Sequence, residues 1–185
     1  MRARVELLAP AGQPDAAYAA FRYGADAVYL GLDRFSARAE AVNFTPDQLD
    51  EAVAYAHSLS PQRRVYLALN TLVQEHELPG AATSLALAAE AGVDAVIVQD
   101  LGVARIARER FPGLALHAST QMAIHNPEGV RAAKHLGFSR VTLARELTLD
   151  ELREIARIAS NEGIETEVFI HGTLCYSYSG LCLFS

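Results

Sequence analysis

The chain has 185 residues, of which 51% are hydrophobic and 21% charged, a composition typical of a folded domain with little disorder. Sixteen basic residues against 22 acidic ones give a formal net charge of −6, which argues against broad electrostatic binding of nucleic acid or of an anionic membrane by this chain. No apolar run approaches the ~18 residues of a membrane-spanning helix and no secretion signal is recognisable, so we expect no membrane association and a cytoplasmic location.

Short apolar runs alternate with helical stretches along the whole chain. Several of the runs begin with a glycine that ends the preceding helix, the residue type that most easily adopts the left-handed turn at a helix C-terminus. Strict alternation of strands and helices predicts a parallel sheet with right-handed crossovers. The seven candidate strands are Val5–Ala9, Gly24–Leu30, Val65–Leu69, Gly92–Val98, Leu114–Ala118, Gly137–Leu143 and Gly163–Phe169.

Two of the predicted helices carry clear sequence signals. Thr45–Leu59 opens with a threonine at the N-cap and a proline at the first helical position. Thr148–Ser160 places apolar side chains on one face and charged ones on the others, the pattern of a helix that packs against a core.

The spacing of these units favours a barrel over an open dinucleotide-binding sheet. The turn after the first strand, Ala9-Pro10-Ala11-Gly12, lacks the Gly-x-Gly-x-x-Gly pattern of that sheet. Seven units suit the α/β class in its (β/α) TIM-type barrel form, which usually takes ~250 residues. We therefore expect residues 1–185 to form a single, incomplete barrel domain, an N-terminal fragment without its C-terminal part, whose first and last strands have unpaired edges.

In such a barrel the active site forms where the strands end, and here the strand exits are polar. Arg145 and His171 are the candidate catalytic residues, and the Arg145 guanidinium offers a two-pronged donor for a carboxylate or phosphate. The alternative is that strand exits are polar merely because they are solvated. The candidate substrate-binding residues are Asn70, Gln99, Ser119, Gln121 and Glu146.

Both cysteines, Cys175 and Cys182, follow the seventh strand on a loop that contains glycine and serine. Three interpretations remain open from the residues alone. The cysteines are inert small side chains, or Cys175 is a nucleophile with His171 as its base, or both thiolates are metal ligands of an iron–sulfur cluster, which generally takes four. Their spacing does not decide among these.

The last segment closely resembles the signature of the collagenase-like peptidase family, peptidase family U32. Thr173 stands where serine or alanine is usual and Phe184 where an aliphatic residue is usual, both mild departures. Other stretches across the chain are also similar, and Asp94–Asp100 with His117–Gln121 most resembles the branch that hydroxylates cytidine in ribosomal RNA. The residues that match the signature are Glu167, Phe169, Gly172, Leu174, Cys175, Gly180, Cys182 and Ser185.

The resemblance implies a barrel that carries a four-iron four-sulfur cluster, with Cys175 and Cys182 as two of its four ligands and the other two beyond Ser185. It also implies prephenate as a co-substrate and RNA hydroxylation, giving 5-hydroxycytidine in ribosomal RNA or 5-hydroxyuridine in transfer RNA. The RNA would be bound through the absent C-terminal part, so this fragment alone is expected to be inactive. The alternative function is a peptidase, of cysteine or unclassified type, that uses Cys175 with His171.

Overall fold

The computed structural model describes residues 5–37, 43–172 and 177–181. Within these ranges the strands form one parallel sheet whose spatial order follows the chain order. This is the curled sheet of an incomplete TIM-type barrel, as predicted. The seven strands are β1 (Leu8–Pro10), β2 (Ala27–Gly31), β3 (Arg64–Leu69), β4 (Ala95–Val98), β5 (Ala115–Ala118), β6 (Arg140–Thr142) and β7 (Glu165–Glu167).

Helices connect successive strands and cover the outer face of the sheet. Short 3-10 turns at Glu75–Glu77 and Thr120–Met122 follow β3 and β5. No helix in the described ranges combines the length and the apolar character that crossing a membrane requires. The α-helices are α1 (Pro14–Arg22), α2 (Pro46–Ser58), α3 (Leu78–Ala91), α4 (Leu101–Arg110), α5 (Pro127–His135) and α6 (Leu149–Glu162).

The predicted helix ends are confirmed. Thr45 and Thr148 cap α2 and α6, each in a capping box in which the threonine and the third helical residue exchange hydrogen bonds. The helix-ending glycines all have positive φ, which a side chain with a Cβ rarely adopts. Their φ values are 104° at Gly24, 74° at Gly92, 93° at Gly137 and 71° at Gly163.

Successive side chains along each strand point to opposite faces of the sheet, and the two faces differ in polarity. The outer face supplies residues such as Val28, Leu67 and Val96, which are fully buried in the main core beneath the helices. The inner face carries a smaller apolar cluster around Tyr66 and Ile97. The barrel interior is therefore only partly apolar, which leaves room there for the charged side chains described below.

The terminal strands are shorter than the sequence pattern predicts. β1 begins at Leu8 instead of Val5, and β7 ends at Glu167 instead of Phe169. Among the described residues β1 pairs only with β2, and β7 only with β6. Val5, which has no strand beside it there, is 87% exposed. The expected unpaired edges are thus present.

Candidate functional site

Polar side chains from two strand exits meet at the mouth of the barrel. Asn70 directly follows β3, and Ser119 and Gln121 lie in the turn after β5. The Asn70 amide Nδ2 donates to Gln121 Oε1 at 2.9 Å, and the Ser119 hydroxyl donates to the same oxygen at 3.1 Å. The structure therefore joins three of the five predicted substrate-binding residues in one hydrogen-bonded group.

The backbone around this group fixes its geometry. Ser119 is buried and caps the 3-10 turn, because its Oγ accepts the Gln121 N–H at 3.3 Å. Asn70 Oδ1 accepts the Ala37 N–H at 3.0 Å, which orients the Asn70 amide so that its nitrogen faces Gln121. The side chains at the mouth are thus held by rigid turns, the arrangement that a binding site needs.

Arg145 and Glu146 follow β6, and their side chains have different surroundings. Arg145 Nε is buried and has no hydrogen-bond partner in the described part of the chain. Glu146 Oε1 accepts both the N–H of Ser179, at 2.7 Å, and its hydroxyl, at 3.2 Å. Glu146 Oε2 lies 3.4 Å from His125 Nε2. Glu146 is therefore bound to the protein itself, whereas Arg145 Nε has no partner in the described part of the chain.

The hydrogen bonds to Glu146 also set its ionisation. Partial burial works to raise the pKa of Glu146, but hydrogen bonds from its own backbone and from the Ser179 N–H and hydroxyl outweigh that effect and hold the pKa below its usual value. The carboxylate is consequently charged at neutral pH. A charged acceptor makes stronger hydrogen bonds than a neutral one.

Two polar atoms at neighbouring strand exits lack a hydrogen-bond partner. Thr120 Oγ1 follows β5 and Arg145 Nε follows β6, and each is buried without a partner among the described residues. Glu167 Oε2, at the end of β7, makes no hydrogen bond there either, but it lies 3.6 Å from Arg140 Nη1, at ion-pair distance. Leaving a buried polar group unpaired costs roughly 1–3 kcal/mol, so Thr120 and Arg145 mark the part of the mouth where a polar ligand would be favoured.

The remaining predicted site residues are not brought into this group. Gln99 directly follows β4 and is half-buried, but no hydrogen bond links it to Asn70 or Gln121 in the described ranges. His171 lies beyond β7 and is exposed. Cys175 and Cys182 fall outside the described residues, so their roles as metal ligands, and the pairing of His171 with Cys175, stay predictions. Within the ranges that are described, no three His, Cys, Asp or Glu side chains are grouped as a metal site.

An ion network that sequence reasoning missed lies inside the barrel. The Arg140 side chain on β6 is 7% exposed and donates from Nη1 to Glu6 Oε1 at 2.7 Å. Its Nε and Nη2 donate to Glu165 Oε2 at 2.9 and 2.5 Å, and the Tyr66 hydroxyl donates to Glu6 Oε1 at 2.8 Å. The missed signal was the charge within the predicted strands, because a charged residue in a strand covered on both faces requires a partner.

Burial perturbs the groups around Arg140. Burial lowers the pKa of His117 to about 3, assisted by the positive charges of Arg140 and Arg64. It raises the pKa of Tyr66 to about 12 and also raises the pKa of Glu167. His117 is therefore a neutral side chain, packed edge-on against Tyr66 with ring centroids 4.7 Å apart.

The parallel sheet, its outer helices and the polar strand exits define a protein of the (β/α)-barrel class. Residues 12–185 match the family model of Peptidase family U32. The chain belongs to that family, as its sequence signature indicated.

Several curated relatives match almost the whole chain. An uncharacterized protease, MJ0090, of Methanocaldococcus jannaschii is 42% identical over 100% of this chain and 45% of its own length. The 23S rRNA 5-hydroxycytidine C2501 synthase of Escherichia coli is 41% identical over 98% of this chain and 26% of its own length. The tRNA hydroxylation protein P of the same organism is 38% identical over 97% of this chain and 39% of its own length. The chain thus spans less than half the length of these relatives.

Among solved structures, the U32 peptidase Mk0906 superposes with a TM-score of 0.66. The match covers 91% of this chain and 68% of that chain, at 15% sequence identity. At that identity the likeness concerns the fold alone, and it agrees with the barrel described above.

Proposed function

We propose that this chain is part of an enzyme that hydroxylates RNA, giving 5-hydroxycytidine in ribosomal RNA or 5-hydroxyuridine in transfer RNA. The observation that carries the proposal is similarity over nearly the whole chain to one relative named for 5-hydroxycytidine synthesis in 23S rRNA and to another named for tRNA hydroxylation, at 41% and 38% identity. With a net charge of −6, this chain supplies few phosphate contacts. RNA would therefore be bound mainly by other parts of the protein.

The proposed cofactor is a four-iron four-sulfur cluster with Cys175 and Cys182 as two of its ligands. Cysteine thiolates are the usual ligands of such clusters. The two cysteines flank residues 177–181, and within that segment Ser179 is hydrogen-bonded to Glu146 at the exit of β6. The donor chemistry and this attachment at the barrel mouth both fit the group. When bound, a cluster of this kind supplies one-electron transfer.

The proposed co-substrate is prephenate, a dicarboxylate. Arg145 is the residue suited to bind one of its carboxylates, since Arg145 Nε is buried and unpaired in the described part of the chain. The Asn70, Ser119 and Gln121 group lies at the same mouth and offers amide and hydroxyl groups for the polar remainder of the molecule. In this proposal Arg145 binds and orients the acid, and Gln121 helps to define its position.

Replacing Arg145 tests this assignment in the full-length protein. Arg145→Gln is expected to raise KM for prephenate and to lower kcat/KM at least tenfold, since a hydrogen bond to a charged group is worth about 1.5–3 kcal/mol. The free energy of unfolding should not fall, because the lost Nε donor has no protein partner among the described residues. Mass spectrometry of nucleosides from digested RNA measures the product.

Arg157→Gln is the matched control, because Arg157 is exposed on α6. It should leave both activity and stability unchanged. If Arg145→Gln lost activity and stability in proportion, or had no effect on KM for prephenate, the assignment of Arg145 to co-substrate binding would be wrong.

Peptidase activity is the alternative, and the protease name of the Methanocaldococcus jannaschii relative is its support. The two functions differ in their need for Cys182. A cluster enzyme should lose bound iron and RNA hydroxylation together in Cys182→Ala, when iron and activity are measured under strict exclusion of air. Full peptidase turnover by an iron-free Cys182→Ala protein would overturn the hydroxylase proposal.

A further inference from the structure

The segment 177–181 between the two cysteines is hydrogen-bonded to the exit of β6 through Ser179. Ser179 is 2% exposed, whereas its neighbours Tyr178 and Leu181 are 63% and 68% exposed. Both the N–H and the hydroxyl of Ser179 donate to the same oxygen of Glu146, and the Ser179 hydroxyl oxygen accepts the Arg145 N–H at 3.3 Å. This buried serine is therefore the anchor of the segment, and Glu146 is its main acceptor.

A glycine next to the anchor brings the segment against the turn that follows β5. Gly180 has φ +82°, and a Cβ there would lie 2.4 Å from the carbonyl oxygen of Gln121 and 3.3 Å from the Cβ of Ala123. Only glycine combines this backbone conformation with this approach. The segment is thus held on two sides, by the exit of β6 and by the turn after β5.

His125 lies beside Glu146 on the side away from Ser179. Its Nδ1 is 2.7 Å from the carbonyl oxygen of Ala123, which can only accept, so Nδ1 carries the proton. Its Nε2 lies 3.4 Å from Glu146 Oε2 and forms an ion pair with it only when the imidazole is doubly protonated. The contacts of Glu146 with Ser179 are therefore the ones that attach the segment to the exit of β6.

The anchor limits where both cysteines can be. Cys182 is three residues from Ser179 and Cys175 is four residues from it. Since an extended chain spans at most ~3.6 Å per residue, their Cα atoms lie within about 11 Å and 14 Å of the Ser179 Cα. Fixing Ser179 consequently limits how far either cysteine can move from the exit of β6.

We propose that Glu146 is a positioning residue: it holds residues 177–181 against the exit of β6 and thereby limits the positions that Cys175 and Cys182 can take as cluster ligands. The inference rests on the proposed function for the identity of the cluster. It also revises the role of Glu146, from binding substrate to holding the protein's own ligand-bearing segment.

The test uses full-length protein reconstituted with iron and sulfide without air, and it measures the rate at which a chelator removes iron. Glu146→Ala should lose iron about tenfold faster than the wild type, in line with the loss of hydrogen bonds to a charged acceptor. Glu146→Gln keeps an acceptor oxygen without the charge and should fall between the two. Glu154→Gln, an exposed glutamate on α6, is the matched control and should behave as the wild type.

A second measurement does not require the cluster. In iron-free, reduced protein, the alkylation of Cys175 and Cys182 by iodoacetamide is followed by mass spectrometry of the peptide that contains them. Glu146→Ala and Gly180→Ala should both accelerate alkylation, because each releases the segment from the barrel by a different route. Thermal unfolding of the same samples shows whether the barrel itself remains folded.

The outcomes separate the two proposals. Iron loss and alkylation at wild-type rates in folded Glu146→Ala would overturn the positioning role while leaving the cluster intact. A wild-type protein that binds no iron would overturn the proposed function, and the alkylation rates would then decide the anchoring by themselves. Faster iron loss from Glu146→Ala, with an altered electron paramagnetic resonance spectrum of the reduced cluster, supports both the positioning role of Glu146 and the proposed function.

Discussion

Individual residues inside the barrel are arranged around one buried positive charge. Arg140 contacts carboxylates from both ends of the chain, at Glu6 and at Glu165, and its guanidinium carbon lies 5.3 Å from the centroid of the Tyr66 ring. A buried charge is tolerated only when it is paired and hydrogen-bonded, and Arg140 meets both conditions. Burial, and after it the positive charge of Arg140, most clearly affects the pKa of the neighbouring His117.

His117 is expected to make the protein sensitive to mild acid. Its pKa is about 3 in the folded protein, against 6.5 for an ordinary histidine, so below pH 6.5 the unfolded chain binds a proton that the folded protein does not. The stability contribution is fully present above pH 6.5 and is lost as the pH falls towards 3. Between pH 6.5 and 5, a span of about 1.5 units at 1.36 kcal/mol each, this amounts to about 2 kcal/mol.

His117→Phe keeps an aromatic ring against Tyr66 and removes the titration. The acid-induced loss of unfolding free energy between pH 6.5 and 5 should therefore be about 2 kcal/mol smaller in the variant than in the wild type. Urea unfolding at the two pH values measures the difference. Glu167, whose raised pKa has the opposite effect on stability as the pH falls, is present in both proteins and cancels. If the wild type and His117→Phe lost the same unfolding free energy between the two pH values, His117 would be protonated in the folded state.

At the level of elements, short local sequence signals begin and end the helices, and each of them contributes to the free energy of unfolding. In α6, the Thr148 hydroxyl oxygen accepts the Glu151 N–H at 3.4 Å, and Glu151 Oε2 accepts the Thr148 N–H at 2.7 Å. Thr148→Ala should lower the free energy of unfolding by about 1 kcal/mol, because the first turn then keeps an unpaired N–H. Thr148→Ser, which retains the hydroxyl, should lose only a few tenths. Equal losses in the two variants, measured by urea unfolding, would contradict a capping role.

Elements that depend on local chemistry were predicted from the sequence, and those that depend on distant contacts were not. Helix-ending glycines and threonine caps act within a few residues, so the order and type of the elements around them were predicted correctly. The Arg140–Glu6 pair joins residues 134 positions apart, and the Glu146–Ser179 contact joins residues 33 apart. No local pattern encodes such pairs. The position of the polar strand exits was nevertheless predictable, because the barrel fold brings the C-terminal ends of all its strands to one face.

For the whole molecule, the central feature is a sheet that curls without closing in the described ranges. β1 and β7 each have one paired neighbour there, so each presents a free row of backbone donors and acceptors on its other side. Apolar side chains accompany both edges. Val5 and Leu7 precede β1 and are 87% and 47% exposed, and Phe169 and Ile170 follow β7 and are 47% and 82% exposed. An open edge flanked by exposed apolar residues is a template for pairing with another chain.

A polypeptide of residues 1–185 should therefore self-associate, and a charge next to β7 should reduce this association. Ile170→Lys places an ammonium group beside the edge, where pairing with a second chain would have to desolvate it. Sedimentation velocity over a range of concentrations is expected to show oligomers for the wild-type polypeptide and predominantly monomers for the variant. Leu149→Lys changes a residue of similar exposure, 70%, at the start of α6, away from the edge, and should associate as the wild type does. Identical sedimentation of all three proteins would show that the edges are protected within the monomer.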